Sequence, residues 1–315
     1  MVLNNVLNQQ INNEEVLEAK HIFAIDYLKV KVEITNNPLE LSQNMVIPLT
    51  KFDGEFQPLQ ESYSKQWVCG SYNDHIQIKA INKNEILIHG NLFKWLNGQN
   101  VTGTTDLIQL VLDTVNRLSQ IFNAITPTDT EIENIKLGLF RIYRIDVNKA
   151  LLFDDKQKAQ QYLSSIKEHG TYPRRDREVE KNGIYFGKGS KRTTLLYYFK
   201  GQEIRSHHKQ QTTLTTELRE YADRMIRCEV RLFNQQLRDQ ELNYGYCWNE
   251  ELVKHLVEDS HSKLNLPEPV SEIELPAKYI RFLATQKQGA LHIGYTASTT
   301  ARYKRDLARD YGLMV

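Results

Sequence analysis

Residues 193–204 read TTLLYYFKGQEI, a hydrophobic strand in which two tyrosines stand side by side and a lysine and a glutamate follow. Two other strand-like segments set an acid among cations: Asp146 in YRIDV (143–147) and Glu229 in IRCEVRL (226–232). Two carboxylates on adjacent strands can hold a hard divalent cation such as Mg2+ or Mn2+. Such a cation polarises a phosphoryl oxygen and offsets charge in an in-line displacement. A tyrosine beside it can be the nucleophile. Its free pKa of about 10 means that it needs help to ionise, which Lys200 and the cation would supply by favouring the phenolate. Arginines, with their forked geometry, suit flanking phosphates, and Arg144, Arg227 and Arg231 stand in these same segments. The chemistry that fits is transesterification at a DNA phosphodiester, leaving a phosphotyrosine link and a free 3′-hydroxyl.

Side chains alternate across a strand. Ile226, Cys228, Val230 and Leu232 therefore share one face, and Arg227, Glu229 and Arg231 the other. Ile145 and Val147 separate in the same way from Arg144 and Asp146. Leu195, Tyr197 and Phe199 point inward, opposite Leu196, Tyr198 and Lys200. R-x-D and R-x-E-x-R also make plain cross-strand ion pairs on a solvated face; it is three neighbouring strands converging on two acids, a tyrosine and cations that suggests a site.

The elements that must place them run in a legible order. GLFRIYRIDV (138–147) is a strand, and a helix opened by Asp154 or Asp155 carries Ala159, Tyr162, Leu163 and Ile166 and closes at Gly170. GIYFG (183–187) and RTTLLYYFK (192–200) are strands, Leu214 to Met225 mark a helix, and IRCEVRLF (226–233) is the last strand. The sum is β-α-β-β-α-β, the ferredoxin-like arrangement. It predicts an α+β fold with helices on one face of an antiparallel sheet and the Asp146 strand between the Tyr198 and Glu229 strands. Upstream, 21–35, 74–82 and 85–91 read as strands, and a helix from about Thr105 to Ile125 is capped by Thr104 or Thr105. The polar breaker TPTDTE (126–131) predicts a boundary. The expected divisions are a polar arm (1–20), a β-rich half (21–127), a catalytic half (128–235) and a helical DNA-binding region (236–315).

The 315 residues carry a net charge of only +1, but residues 171–210 hold ten Lys/Arg against four Asp/Glu, interleaved with aromatics. A solvated face is the ordinary meaning of such a stretch; a phosphate-binding surface is the sharper one. Three cysteines, far apart and without a CxxC pair, argue against a disulfide framework or a structural zinc site. No run of about 18 apolar residues spans a membrane. The cysteine usage fits a reducing, cytoplasmic setting, and the start, MVLNNVLNQQINNEE, lacks the pattern of a secretory signal and reads as a loosely ordered arm.

Taken together, NGQNVTGTTDL (97–107), YRIDV (143–147), GIYFGKGSKRTTLLYYFKGQE (183–203), IRCEVRL (226–232) and the segments between Leu275 and Leu313 resemble the rolling-circle replication initiators of filamentous phages, of the gene II protein type, and related plasmid initiators. The resemblance covers most of the chain from about residue 85. It implies a fold related to the histidine-motif nickases and an enzyme that nicks one strand of a double-stranded origin. That enzyme becomes joined to the 5′ phosphate, leaves a 3′-hydroxyl primer for the host polymerase, works with a host helicase, and later circularises the displaced single strand. The family's nucleophile falls on Tyr198, its lysine on Lys200 and its strand acids on Asp146 and Glu229, with Glu203 as third acid of the metal shell or structural partner. DNA contacts are expected from Arg144, Lys188, Lys191, Arg192, Arg227 and Arg231. Gln99 stands where many relatives have His, and the His-hydrophobic-His metal motif is absent. His75 and His89 read as structural, and His207 and His208 as loop residues.

The C-terminal segment reads as a helix, a break near Gly289 and a helix from about Ser298, a helix-turn-helix or winged pattern. Arg302, Lys304, Arg305 and Arg309 face Asp306 and Asp310 in its last helix. A mixed-charge surface helix has the same composition; the resemblance points to origin binding by Arg302, Lys304 and Arg305. A non-catalytic origin-binding regulator of the same fold is the alternative, against which the joint presence of Asp146, Tyr198 and Glu229 speaks. A tyrosine recombinase would need a helical catalytic domain with its own Arg/His set, which the sequence lacks.

Overall fold

The computed structural model describes residues 22–43, 46–49, 60–70, 74–206, 214–266, 275–287, 289 and 294–311. The expected N-terminal arm, His207 and His208 lie outside them. In chain order the elements are β1 (Phe23–Glu33), α1 (Pro38–Leu41), β2 (Val46–Leu49), β3 (Gln60–Tyr63), β4 (Gln66–Cys69), β5 (His75–Asn82) and β6 (Glu85–Gly90). Next come α2 (Leu92–Asn97), α3 (Leu107–Ile121), α4 (Asp129–Lys136), β7 (Arg141–Leu152), α5 (Lys156–His169), β8 (Arg177–Val179), β9 (Gly183–Phe186) and β10 (Thr193–Phe199). The rest are α6 (Lys200–Ser206), α7 (Thr216–Asp223), β11 (Met225–Phe233), α8 (Asn234–Asp239), α9 (Glu250–Ser262), α10 (Ala277–Lys287) and α11 (Ala297–Tyr311).

The fold is α+β. Nine strands form one antiparallel sheet in the order β4-β5-β6-β1-β7-β11-β10-β9-β8, and β2 and β3 pair separately. This differs from the expected ferredoxin-like order, because β11, not β7, is the middle strand of the catalytic three. β7 is paired on its other edge by β1 along Phe23–Lys31, so no edge is left for β10. The same pairing removes the expected boundary at 126–131: strands from both sides of it share one sheet, and Thr128 begins α4 with a capping box to Glu131.

The chain divides into two compact units, residues 1–167 with 172–264, and residues 168–171 with 265–315. The helical region expected from 236 therefore begins later, since α8 and α9 belong to the first unit, where α9 packs on β7, β11 and β1. In the second unit Tyr279 and Phe282 of α10 bury against Leu307 of α11, so the two expected helices form. No helix among the described residues is long and apolar enough to cross a membrane.

One face of the sheet is apolar by strand alternation. Val147, Cys228 and Tyr197 lie on it, with α9 packed above and Tyr162 of α5 beside Cys228 and Tyr197; burying an aliphatic side chain such as Val147 there stabilises by roughly 1.5–3 kcal/mol. The cover is not confined to that face. Val101, Ile204 of α6 and Tyr221 and Ala222 of α7 bury with Ala150 and Met225, closing one end of the other face. Small boundary shifts have local causes. Asp106, rather than a threonine, caps α3 by accepting from Gln109 N at 2.9 Å. Lys200, expected as the end of a strand, is instead the first residue of α6.

Candidate active site

Register places the expected residues in three cross-strand rows on the face opposite Tyr197. Tyr27, Asp146, Arg231 and Thr194 form the first. Asn148, Glu229, Leu196 and Tyr185 form the second, and Ala150, Arg227, Tyr198 and Gly183 the third. Tyr197 points the other way: it is 0% exposed and its Oη lies 2.8 Å from His261 Nδ1. Alternation thus separates the two tyrosines as expected.

A fourth acid joins them. The β1–β7 register slips between Ile25 and Tyr27, a bulge that turns Asp26 onto the same face. Its carboxylate accepts from Asn91 Nδ2 at 2.6 Å and Asn100 Nδ2 at 3.0 Å, and Arg227 Nη1 lies 3.8 Å away. Sequence reasoning missed Asp26, although the signal was present: buried apolar positions in FAIDYLKVKV change phase between Ile25 and Leu28.

The string GQNVTG forms a strap across this end of the site. Gly98 ends α2 in the left-handed region at φ 72°, which favours glycine. Gln99 braces the loop: its Oε1 accepts from Val101 N at 2.7 Å and Thr102 N at 3.1 Å. Asn100 Oδ1 accepts from Lys200 Nζ at 2.8 Å. Gly103 packs so tightly on Ala24 that an added Cβ would come within 2.4 Å of the Ala24 Cβ. A 370 Å³ cavity opens beneath, lined by Asp26, Tyr27, Asp146, Tyr198, Glu203 and Glu229 among others.

The electrostatics divide labour differently from expectation. Arg227 was expected to bind DNA, but it is 2% exposed and donates from Nη2 to Asn100 O at 2.7 Å and Val101 O at 2.9 Å. It sits directly across from Tyr198 and is the cation that acts most on the phenol. Burial raises the Tyr198 pKa well above 10, Arg227 opposes that, and Glu229, Asp26 and Glu203 add to it. Lys200, expected to favour the phenolate, is 0% exposed and braces the strap instead. Desolvation and then Arg227 bring its pKa down to about 8, and its Nζ lies 2.7 Å from Glu203 Oε2. Glu203, expected as a third acid of the metal shell or as a structural partner, holds Lys200 and also lines the cavity beside Tyr198.

Burial raises the pKa of both strand acids, Asp146 above its ordinary value, against the pull of Arg144 and Arg231, and Glu229 to about 7. Burial pushes Asp26 the same way, but Arg227, Lys200, Asn100 and Asn91 hold it below its ordinary value. Asp146 accepts from Arg144 Nε at 2.8 Å and Nη2 at 2.6 Å, and Glu229 Oε1 accepts from Arg231 Nε at 2.8 Å. Among the described residues no three His, Cys, Asp or Glu gather in metal-binding geometry. The donor chemistry nonetheless suits Mg2+ or Mn2+: carboxylate oxygens in desolvated groups that resist their own charge, shielded by arginines a cation could replace.

The remaining cations are dispersed. Arg144 and Arg231 are engaged by the acids just named. Lys188 pairs with Glu178 and Glu180, and Arg192 with Asp239. Lys191 is exposed, and Lys188 and Arg192 with Arg174 and Arg175 line a 650 Å³ cavity at the basic turn. In the second unit Arg302 and Arg305 are exposed and Lys304 half-buried. Of the histidines, His75 is exposed and His89 is satisfied by Tyr27 and Gln77.

The phage CRI family model, described as the N-terminal part of the gene II replication-associated protein, matches residues 24–251, a span that includes every row of this site. The gene II replication-associated protein of Enterobacteria phage I2-2 is 23% identical over 270 residues, covering 80% of this chain and 78% of that one. Among solved structures, the rolling circle replication initiator protein from Geobacillus stearothermophilus aligns over 83% of this chain and 95% of its own, at 14% identity and a TM-score of 0.34. With the family model matched over most of its length, this chain belongs to the phage CRI family of replication-associated proteins.

Proposed function

We propose that this chain is a rolling-circle replication initiator, a divalent-metal-dependent endonuclease and strand transferase that nicks a double-stranded origin through Tyr198. The observation that carries this reading is the convergence of Tyr198, Asp146, Glu229 and Asp26 around one 370 Å³ cavity. Tyr198 Oη attacks the phosphorus of one phosphodiester and loses its proton to water in the cavity. The bond from phosphorus to the 3′ oxygen breaks, and that oxygen takes a proton from water. The DNA 5′ phosphate is then esterified to tyrosine, and the free 3′-hydroxyl can prime a host polymerase, with a host helicase opening the duplex.

Arg227, across the strand pair from Tyr198, stabilises the phenolate from within a desolvated site, where charge interactions are strong. Lys200 and Asn100 hold the strap that fixes Asp26 and Arg227. Asp146 and Glu229 would hold Mg2+ or Mn2+, which when bound polarises the phosphoryl oxygen. The basic turn with Lys188, Lys191 and Arg192 would follow flanking phosphates, and Arg302, Lys304 and Arg305 would contact origin duplex.

The arginines that cap both strand acids also favour a second reading, an origin-binding regulator without catalysis. Double-stranded circular DNA of the replicon, incubated with protein and Mg2+ or Mn2+, separates the two. The initiator reading expects one strand cut, protein attached on the 5′ side, an extendable 3′ end, and none of these in EDTA. Binding with both strands intact in either cation would favour the regulator.

A further inference from the structure

The catalytic face of the sheet continues beyond the cavity across β1, β6, β5 and β4. Trp67 of β4 lies opposite Gln77 of β5, Gln77 opposite His89 of β6, His89 opposite Lys29 of β1, and Lys29 opposite Arg144 of β7. These five residues form one row across five strands, about 19 Å long at ~4.8 Å per strand. At one end Arg144 grips Asp146 and lies 4.3 Å from the centre of the Tyr27 ring, at the lip of the cavity. At the other end Trp67 is 68% exposed.

Between the ends the row is hydrogen-bonded, and cations from it and beside it converge on His89. Tyr27 Oη lies 2.8 Å from His89 Nδ1, and His89 Nε2 meets Gln77 Oε1. Lys29, Lys65 and Arg144 all bear on His89, which after burial they keep below its ordinary pKa, hence uncharged at neutral pH. An exposed aromatic face beside converging cations meets the two needs of an unpaired nucleic-acid strand, stacking for a base and charge for the phosphates. A duplex keeps its bases paired and offers no free base face to Trp67.

We propose that this row is a binding track for single-stranded DNA, which runs from a base stacked on Trp67 to Arg144 at the mouth of the catalytic cavity. The track rests on reading that cavity as the nicking centre, and it gives the displaced or melted strand a fixed path into it.

The three tryptophans allow a direct test. Trp95 is 2% exposed and Trp248 5%, so emission quenched by added DNA reports Trp67. The full chain carrying Tyr198→Phe, which keeps DNA uncut, is titrated with oligothymidylate and with relaxed closed-circular duplex at equal nucleotide concentration. Quenching by the single strand is expected. Trp67→Ala should abolish it and weaken binding, read by anisotropy, about tenfold or more. Trp67→Phe should bind nearly as tightly as the parent, and the pair Lys29→Gln with Lys65→Gln should lower the salt dependence of binding. Thermal melting shows whether each variant is folded. The track is overturned if folded Trp67→Ala binds oligothymidylate as tightly as its parent, or if the duplex quenches equally. Trp67 emission that follows protein concentration without DNA would also overturn it, and would mark β4 as a self-association edge. Quenching by DNA here, with a wild-type protein that never nicks in Mg2+ or Mn2+, would keep the track and discard the nickase.

Discussion

Glu229 should cost this protein stability at the pH where it works. Its buried carboxyl is raised from 4.5 to about 7, and each pKa unit corresponds to about 1.36 kcal/mol. The rise therefore amounts to roughly 3 kcal/mol of penalty on the charged form. The direction follows from proton counting. Below pH 4.5 both folded and unfolded chains hold the proton. As pH rises from there to about 7, the unfolded chain releases it first and the folded state loses stability. Between about pH 5 and pH 8 the loss is roughly 2–3 kcal/mol. Glu229→Gln removes the titration while leaving an oxygen for Arg231 Nε. In urea denaturation the variant should match the wild type near pH 5 within about 1 kcal/mol and exceed it near pH 8 by about 2 kcal/mol. It should fail to nick at both. Equal pH dependence in the two proteins, or a variant less stable at pH 8, would refute the reasoning.

Arg227→Met should destabilise by about 3–5 kcal/mol, because it strands Asp26 and two strap carbonyls without their buried partner; urea midpoints measure this. The nicking rate should fall above about pH 8, as Lys200 loses the charge that holds the strap; a rate profile on a fixed DNA substrate at saturating metal reads this limb. Tyr197→Phe loses its hydrogen bond to His261 and should cost about 1 kcal/mol, with the covalent adduct still formed.

The local reading of the sequence carried far where one rule governs. Strand alternation sorted Tyr197 from Tyr198 and the inward Cys228 from Glu229, because each side chain's face depends only on its own strand. Neighbour relations were harder. β1 claims the free edge of β7 through pairing more than a hundred residues apart in sequence, and no motif in 138–233 signals it. Asp26 was hidden because a bulge breaks the alternation by which strands are read. Arg227 read as a DNA contact and Lys200 as the phenolate's helper, because neither segment shows the strap at Asn100 and Val101, again distant in sequence, that engages both. The strap's own sequence, GQNVTG, was recognisable as a string, but its task depends on the strands beneath it.

The most direct measurement is a covalent trap on Tyr198. Origin DNA labelled on the nucleotide 3′ to the cut is incubated with protein and Mg2+ or Mn2+, then resolved under denaturing conditions. Wild-type protein should carry the label, and Tyr198→Phe should carry none while still binding the DNA. A labelled adduct from folded Tyr198→Phe would place the nucleophile elsewhere and contradict the account.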